Sequence, residues 1–476
     1  MQVKPFSVGP VVGHVDRHSA RIFGRGEPLL WPAELKPDAG VIRWRRQGAG
    51  QWSAPLRFRL NRNFDFSGVV ILPDLDAGTH YEYQAGCLPG DPGSRSLQWR
   101  EISSGQFRTA PADDAAPIRF HMGSCCYRFF AADMENLDDR ADKAFRSMLA
   151  LSASDGPVDF NLFVGDQVYA DPMNALLDLH DHESFMALYR HSFAQPWLTR
   201  LLADGANYMI LDDHEIENNW PAQARAADWV GKYPAALKAY QVYQASHSPA
   251  VPLDASGRYL GRDPDHLWYT FSRGCADFFV MDVRTERQLA STAGQRLMLS
   301  AQQEQALYQW LLDGRDRVKC LVSPVVMFPD QRRFFRGDDA WEGFLAQRTR
   351  ILEFIRRENL HRVLVLSGDV HAALATRLQM RSAAGRNLAV HNLVCSGLFW
   401  PASLFAFRWH ALTVDADGPL RSHGRAGRYR LTPLTDVYSR DAFARIEIDP
   451  EGCLFRVFTR KGEPVPEASC EIRFTG

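Results

Sequence analysis

Hydrophobic and polar residues follow two different patterns along the chain. Up to about residue 113, short segments such as SARIFGR (19–25) and APLRFRL (54–60) are separated by turn-forming residues, which predicts β-strands. Beyond that point, apolar runs such as VDFNLFVG (158–165) and RVLVLSG (362–368) alternate with amphipathic stretches of helical period. The first pattern predicts a β-sandwich and the second an α/β domain with a buried sheet.

The change of pattern predicts two domains. TAPADDAAP (109–117) is rich in Pro, Ala and Asp, a composition typical of a linker. We therefore expect an N-terminal β-sandwich at 1–113 and a second domain at 114–476. Within the first, LDAGTHYEYQAG (75–86) resembles the corner of a fibronectin type III or immunoglobulin-like domain, with Tyr81 or Tyr83 bonding back to the backbone.

The second domain has a predicted order of strands and helices. Strands are expected at 118–123, 158–165, 207–211, 277–283, 318–327, 362–368 and 388–397, and again in DAFARIEID and CLFRVFTR near the end of the chain. Helices are expected at 141–153, 183–193, 300–314 and 342–359.

Composition excludes some classes of protein. Lys and Arg number 55 against 56 Asp and Glu, so no global field favours a nucleic-acid scaffold, and recognition of phosphate must be local. No apolar run approaches the roughly 20 residues of a membrane span. The first residues carry no visible export signal, so we expect a cytoplasmic protein, or a periplasmic or secreted one if a leader was removed. The 8 cysteines are scattered, as free thiols are.

Groups that can bind a metal follow four of the predicted strands. IRFHMG leads into Cys125, VDFNLFVG into Asp166 and Tyr169, NYMIL into Asp212 and Asp213, and RVLVLSG into Asp369 and His371. Strand carboxyl ends share one edge in open α/β sheets, so these groups should meet. Each has an ordinary structural interpretation by itself, such as a helix cap or a packed core residue. Their conjunction predicts a metal site.

Three of these segments resemble the motifs of a known family. GDQVYAD (165–171), LDDHEIENN (211–219) and SGDVHAA (367–373), with MGSC upstream, are similar to those of the alkaline phosphatase D family, relatives of purple acid phosphatases among the calcineurin-like metallophosphoesterases. MDVRTER (281–287) and DDAWEGFLAQRTRIL (338–352) match further segments of that family. The resemblance implies a four-layer αββα metallophosphoesterase fold for the second domain.

The resemblance also implies a dinuclear metal site. Asp166 would bridge two cations; Cys125, Tyr169 and His371 would hold the first, and Asp213 and Asp369 the second. Thiolate and phenolate suit ferric iron, whereas carboxylates suit a hard cation, so Fe3+ with Ca2+ or another divalent metal is expected. Purple acid phosphatases place histidines on the second metal, and this chain has Asp369 at one such position and none at the other.

Catalytic and substrate-binding roles follow from the same motifs. His214, directly after Asp213, is expected to protonate the leaving oxygen or stabilise the transition state, and Glu215 or Asp212 to orient its ring. Arg284 and Arg287 are candidates for binding phosphate, with surface ion pairs to Asp282 and Glu286 as the alternative.

The sequence therefore predicts a metal-dependent phosphoric ester hydrolase. Its substrate would be a small or polymeric phosphomonoester, phosphodiester or both. Two alternatives remain open: a metal-independent glycoside hydrolase with an accessory β-sandwich, given 12 tryptophans and paired carboxylates, and a non-catalytic binding protein. The sequence determines neither the physiological substrate nor the oligomeric state.

Overall fold

The computed structural model describes residues 1–27, 39–88, 96–130, 136–171, 179, 181–254, 264–289, 295–330, 337–401, 418–424 and 427–474. The strands are β1 (Val8–Val15), β2 (Ala20–Arg25), β3 (Ala39–Arg46), β4 (Leu56–Arg59), β5 (Ser67–Leu72), β6 (His80–Leu88), β7 (Ser103–Arg108), β8 (Ile118–Gly123), β9 (Phe160–Val164), β10 (Ala206–Ile210), β11 (Tyr269–Arg273), β12 (Ala276–Val280), β13 (Val318–Ser323), β14 (Val363–Ser367), β15 (Ala373–Arg381), β16 (Asn387–Cys395), β17 (Gly418–Pro419), β18 (Arg430–Pro433), β19 (Ala442–Asp449), β20 (Gly452–Thr459) and β21 (Cys470–Arg473). The helices are α1 (Arg140–Ser154), α2 (His182–Phe193), α3 (Pro196–Ala203), α4 (Ala226–Val230), α5 (Lys232–Tyr243), α6 (Ala301–Leu312) and α7 (Leu345–Arg357). Among these described helices, none has the length and apolar character that crossing a membrane requires.

The N-terminal strands form two antiparallel sheets. One has the order β1-β2-β5 and the other β4-β3-β6-β7. The predicted tyrosine corner is confirmed for Tyr81, whose hydroxyl accepts a hydrogen bond from the Asp76 amide at 3.0 Å. Tyr83 instead donates to the carbonyl of Ala203, at the end of α3. The sequence pattern missed β1, where Gly9 and Pro10 interrupt the apolar run.

The remaining strands form a six-stranded and an eight-stranded sheet, so the chain has the predicted mixed α/β character. The first has the order β10-β9-β8-β19-β20-β21 and the second β11-β12-β13-β14-β16-β15-β18-β17. In the first, β8, β9 and β10 are parallel, and β19 joins antiparallel beside β8. In the second, β12, β13, β14 and β16 are parallel. Each parallel group therefore ends its strands at one edge.

Aromatic side chains join the two large sheets. Phe278 of β12 meets Phe120 of β8 and Phe160 of β9 edge-on, with ring centroids 5.7 and 5.4 Å apart. Tyr208 of β10 stacks on Phe271 of β11 at 3.7 Å. These rings are buried, and offset or edge-on aromatic pairs add to the free energy gained by burial. The two large sheets thus share one core.

Helices cover the other face of the eight-stranded sheet. Leu307 of α6 and Ile351 of α7 belong to the same buried cluster as Phe279 of β12 and Val365 of β14. Helix α6 begins after Ser300, whose hydroxyl accepts from the Gln303 amide, an N-cap that the predicted range 300–314 already contained. The predicted helix 342–359 is divided, because a turn of 3-10 helix precedes α7. The pattern missed α3, α4 and α5.

Candidate metal centre

Four loops bring the predicted donor residues to one edge of the two large sheets. Cys125 follows β8, Asp166 follows β9, Asp213 follows β10, and Asp369 follows β14. Two glycines allow the loops to approach each other. A Cβ on Gly165 would lie 2.5 Å from Cβ of Asp212, and one on Gly368 would lie 2.3 Å from Oγ of Ser124. The meeting of strand ends predicted from the sequence is confirmed.

Backbone conformation is unusual at the donor residues. Cys125, Asp166, Asp369 and His371 have φ angles of 56°, 54°, 69° and 49°, in the left-handed region that costs free energy for residues other than glycine. Such conformations persist only where the surrounding structure enforces them. Their concentration at one edge is typical of a functional site, where backbone strain is tolerated because it orients side chains.

Asp166 is the hub of the site. Its Oδ2 accepts a hydrogen bond from the Cys125 thiol at 3.2 Å and one from the Tyr169 hydroxyl at 3.4 Å. Its Oδ1 accepts from the backbone amide of His214 at 3.4 Å. Ligand-type atoms of Asp166, Asp213 and His214 all lie within 4.8 Å of one another. One carboxylate therefore contacts donors from three separate loops.

The electrostatics of this hub favour a bound cation. Burial raises the pKa of Asp166 well above its usual range, and the neighbouring carboxylates Asp213, Asp212 and Glu215 add to that rise against the opposing charge of His214. Burial, with the charge of Asp166, likewise raises the pKa of the Cys125 thiol and of the Tyr169 hydroxyl. Cations placed among these groups would stabilise their ionised forms.

The two adjacent cysteines differ in their surroundings. Cys125 packs with Tyr127 and Tyr169 at the site, whereas Cys126 belongs to the main hydrophobic core. Burial raises the pKa of Cys126 to about 11. The two thiols therefore lie in different surroundings, one at the site and the other in the main core.

The ring of His214 is held by a carboxylate that the sequence analysis did not select. Nδ1 of His214 is hydrogen-bonded to Oδ2 of Asp171, and both side chains are buried. Burial lowers the pKa of His214, but the charges of Asp213, Asp171 and Asp166 outweigh that effect and raise it well above 6.5. The prediction that Glu215 or Asp212 orients this ring is wrong.

Glu215 has a different position from the one expected. Its carboxylate accepts hydrogen bonds from the backbone amides of Asp166, Gln167 and Asp212 at 3.1, 2.7 and 2.8 Å, and one from the side chain of Gln244. It therefore ties the loop after β9 to the loop after β10. Its hydrogen bonds are thus with these backbone amides and with Gln244, and not with the His214 ring.

Arg284 and Arg287 are buried in ion pairs and hydrogen bonds. The Arg284 guanidinium contacts Asp212, Asp213 and Asp339, and Arg287 donates to the carbonyls of Val283 and Asp338. The alternative of surface pairs with Asp282 and Glu286 is wrong, since Asp282 accepts from the backbone of Arg284. Substrate binding by the two arginines stays a prediction.

His371 and Asp369 complete the edge. The His371 ring stacks on Trp400 with centroids 4.1 Å apart, and Trp400 lies 5.7 Å from the Tyr169 ring. Asp369 is near enough for its charge to raise the pKa of Cys125 and of Asp212. All six predicted metal ligands therefore lie on the loops that meet here.

Sequence reasoning missed two residues of the site. Asp171 is the last residue of the segment GDQVYAD. The spacing of the sequence did not distinguish Asp171 from Asp212 or Glu215 as the partner of His214. Trp400 closes the segment SGLFW after β16. Its contact with His371 depends on pairing between β14 and β16, which the sequence did not specify.

The fold is similar to those of known proteins. Two solved structures resemble it over 99% of this chain: one described as the structure of PhoD, with a TM-score of 0.69 and 18% identity over 89% of that chain, and the purple acid phosphatase PPD1 from yellow lupin, with 0.61 and 10% over 74%. At these identities the likeness concerns the fold.

The family is identified by sequence. The family model described as PhoD-like phosphatase matches residues 127–401, and the chain belongs to that family. Alkaline phosphatase D of Bacillus subtilis (strain 168) is 29% identical over 235 residues, covering 43% of this chain and 37% of that protein. The match thus spans little more than a third of that relative's length.

Proposed function

We propose that this protein hydrolyses phosphoric esters with a dinuclear metal centre at the edge described above. The observation that carries the proposal is the cluster around Asp166. Ligand-type atoms of Asp166, Asp213 and His214 lie within 4.8 Å of one another, and the Asp166 carboxylate also accepts hydrogen bonds from Cys125 and Tyr169. Membership of the PhoD-like phosphatase family supports the phosphate ester as substrate. A glycoside hydrolase would need no such set of thiol, phenol and imidazole donors.

The donors fit two metals of different character. Cys125, Tyr169 and His371 would hold one cation and Asp213 and Asp369 the other, with Asp166 bridging them. The thiol and phenol both point their protons at Asp166, where a cation would replace those protons. Fe3+ is proposed for the thiolate and phenolate position, and Ca2+ or another divalent cation for the carboxylate position.

When bound, the metal pair would lower the pKa of a water molecule and neutralise the phosphate oxygens. His214 supplies the proton for the leaving oxygen. Asp171 holds Nδ1 of its ring, so that the proton to be donated sits on Nε2. Glu215 fixes the backbone that carries Asp166 and Asp212.

The finer description of the fold belongs to the same proposal. The three-stranded and four-stranded sheets would form a fibronectin type III or immunoglobulin-like sandwich at 1–113, and the two larger sheets with their helices a four-layer αββα domain at 114–476. The tyrosine corner at Tyr81 supports the first assignment, and the helices on the eight-stranded sheet support the second.

Metal analysis of protein purified without chelator tests the proposal. About two metals per chain, with hydrolysis of 4-nitrophenyl phosphate or bis(4-nitrophenyl) phosphate that a chelator abolishes, is the expected result. Comparing the two esters shows whether monoesters or diesters are preferred. Metal-free protein that cleaves a glycoside, or that binds without turnover, would support one of the two alternatives instead.

A further inference from the structure

The outer face of the four-stranded N-terminal sheet carries a row of arginines and tryptophans. Side chains alternate along β3: Ile42 is part of the main core and Trp44 packs against it, so Arg43 and Arg45 lie on the opposite face. The Arg43 guanidinium lies 4.3 Å from the ring centre of Trp99 and 4.9 Å from that of Trp52. Arg45 lies 4.2 Å from Trp52.

These contacts hold two cations side by side in fixed positions. Arginine over an aromatic ring loses side-chain freedom on folding rather than on binding, so a ligand meets an ordered guanidinium. Residues two apart on a strand are separated by about 6.6 Å, and Arg43 and Arg45 therefore present charges at a regular interval. The row Trp99, Arg43, Trp52, Arg45 is called the arginine ladder below.

The charges of the ladder are incompletely neutralised. Arg43 donates from Nε and Nη2 to the uncharged amide oxygen of Gln84, at 2.9 and 2.5 Å, and no ion pair of Arg43 with a carboxylate occurs among the residues the structure describes. Arg45 pairs with Glu82, whose side chain is 31% exposed. Burial and the adjacent charge of Arg45 lower the pKa of Arg43. An anion at the ladder would relieve this repulsion.

The neighbouring strand extends the positive face. Phe58 of β4 is buried in the core, so Arg57 and Arg59 on either side of it lie on the same face of the sheet as the ladder. Arg57 is the register partner of Val41 and Arg59 that of Ala39, on the same strand as Arg43. The chain as a whole has a net charge of −1, so this concentration of arginine on one sheet face is local.

We propose that the arginine ladder binds a linear phosphodiester polymer along the outer face of the N-terminal sheet. Guanidinium groups match phosphate oxygens in a bidentate manner, and a row of fixed cations suits a chain of regularly repeated anions. The choice of phosphate over carboxylate rests on the proposed function, since a polymeric substrate held here would be retained near the hydrolytic domain. The tryptophans hold the arginines in place and do not contribute specificity for the sequence of the polymer.

Binding is tested with a fluorescein-labelled phosphorothioate oligothymidylate, which resists hydrolysis, and measured by anisotropy at several salt concentrations. The double variant Arg43→Gln/Arg45→Gln should bind about tenfold more weakly at low salt. Its slope of log affinity against log salt should be shallower by about 1.4, because each contact to a single-stranded phosphate contributes about 0.7. Arg43→Lys/Arg45→Lys should retain most of the salt dependence.

The matched control is Arg46→Gln. Arg46 lies on the same strand, but it is paired with Asp76, and its side chain is 64% exposed. Unchanged binding in the double variant, an equal loss in Arg46→Gln, or equally tight binding of labelled poly-aspartate would each overturn the inference. All variants should hydrolyse bis(4-nitrophenyl) phosphate like the unmodified protein. Ladder-dependent binding without any hydrolysis would contradict only the proposed function. Hydrolysis without ladder-dependent binding would contradict only this inference.

Discussion

The carboxylate of Asp171 holds Nδ1 of His214, although the two residues lie on loops that follow different strands. The contact leaves Nε2 as the ring atom that can deliver a proton. It also places an anion against a ring whose neighbours include the candidate metal ligands Asp166, Asp213 and Tyr169. The orientation of the ring thus depends on a carboxylate that lies outside the proposed set of metal ligands.

The Asp171 contact predicts a loss of rate without a loss of metal. Asp171→Asn should lower turnover by about 10- to 100-fold, the usual effect of removing a partner that orients a functional histidine. Metal content should remain at the level of the unmodified protein, as measured by elemental analysis.

His214→Asn should also keep both metals and lower turnover by roughly 100-fold or more. Loss of metal in His214→Asn would make the histidine a ligand.

The hub position of Asp166 predicts the opposite combination. Asp166→Asn should lose metal as well as activity, because a neutral amide bridges two cations poorly. Asp171→Asn is the matched control, since it removes a buried carboxylate of the same site without removing a proposed ligand. Full metal occupancy in Asp166→Asn would contradict the bridging assignment.

Thiolate and phenolate ligands predict a coloured protein if the first metal is ferric iron. Tyr169→Phe should shift or bleach the visible absorption band, and Cys125→Ser should shift it differently. Cys126→Ser should leave the band nearly unchanged, because Cys126 packs in the main hydrophobic core, whereas Cys125 packs with Tyr169. A colourless protein with two zinc ions would overturn the iron assignment, since Zn2+ has a filled d shell.

The network around Glu215 predicts a loss of stability. Glu215→Ala removes the acceptor of three backbone amides and leaves those buried donors without it. Each unsatisfied buried donor costs about 1–3 kcal/mol, so the free energy of unfolding should fall by several kcal/mol in a denaturant titration. Glu217→Ala is the control, because that carboxylate is partly exposed and pairs with Lys232. Equal stability of the two variants would contradict the assignment.

Close approach of two loops at Gly368 predicts that a single methyl group disturbs the site. Gly368→Ala would place Cβ 2.3 Å from Oγ of Ser124 and 2.7 Å from the carbonyl of Val164, so the loops after β8 and β14 must separate. Metal affinity should fall, as titration with the metal measures. Gly50→Ala, where a Cβ meets nothing within 4 Å, should change neither metal binding nor activity.

The sequence by itself determined the local elements and the chemical inventory of the site. Apolar runs gave β8, β9, β10 and β14 within a few residues of their observed bounds, because a buried parallel strand needs a continuous apolar stretch. The donors directly after those strands follow from the same reasoning, since strand ends in such sheets share an edge. The hydrogen bond between the Asp76 amide and the Tyr81 hydroxyl was also predictable, because the two residues are only five positions apart.

Tertiary structure decided the contacts between segments that are distant in sequence. Strand β19 joins the first sheet beside β8, more than three hundred residues earlier in the chain, and an alternating apolar pattern cannot say which strand it will pair with. The same limit explains Asp171, Glu215 and Arg284. Each is a charged residue in an acidic or basic cluster, and only packing decided that Asp171 meets the His214 ring, Glu215 meets backbone amides, and Arg284 is buried between carboxylates.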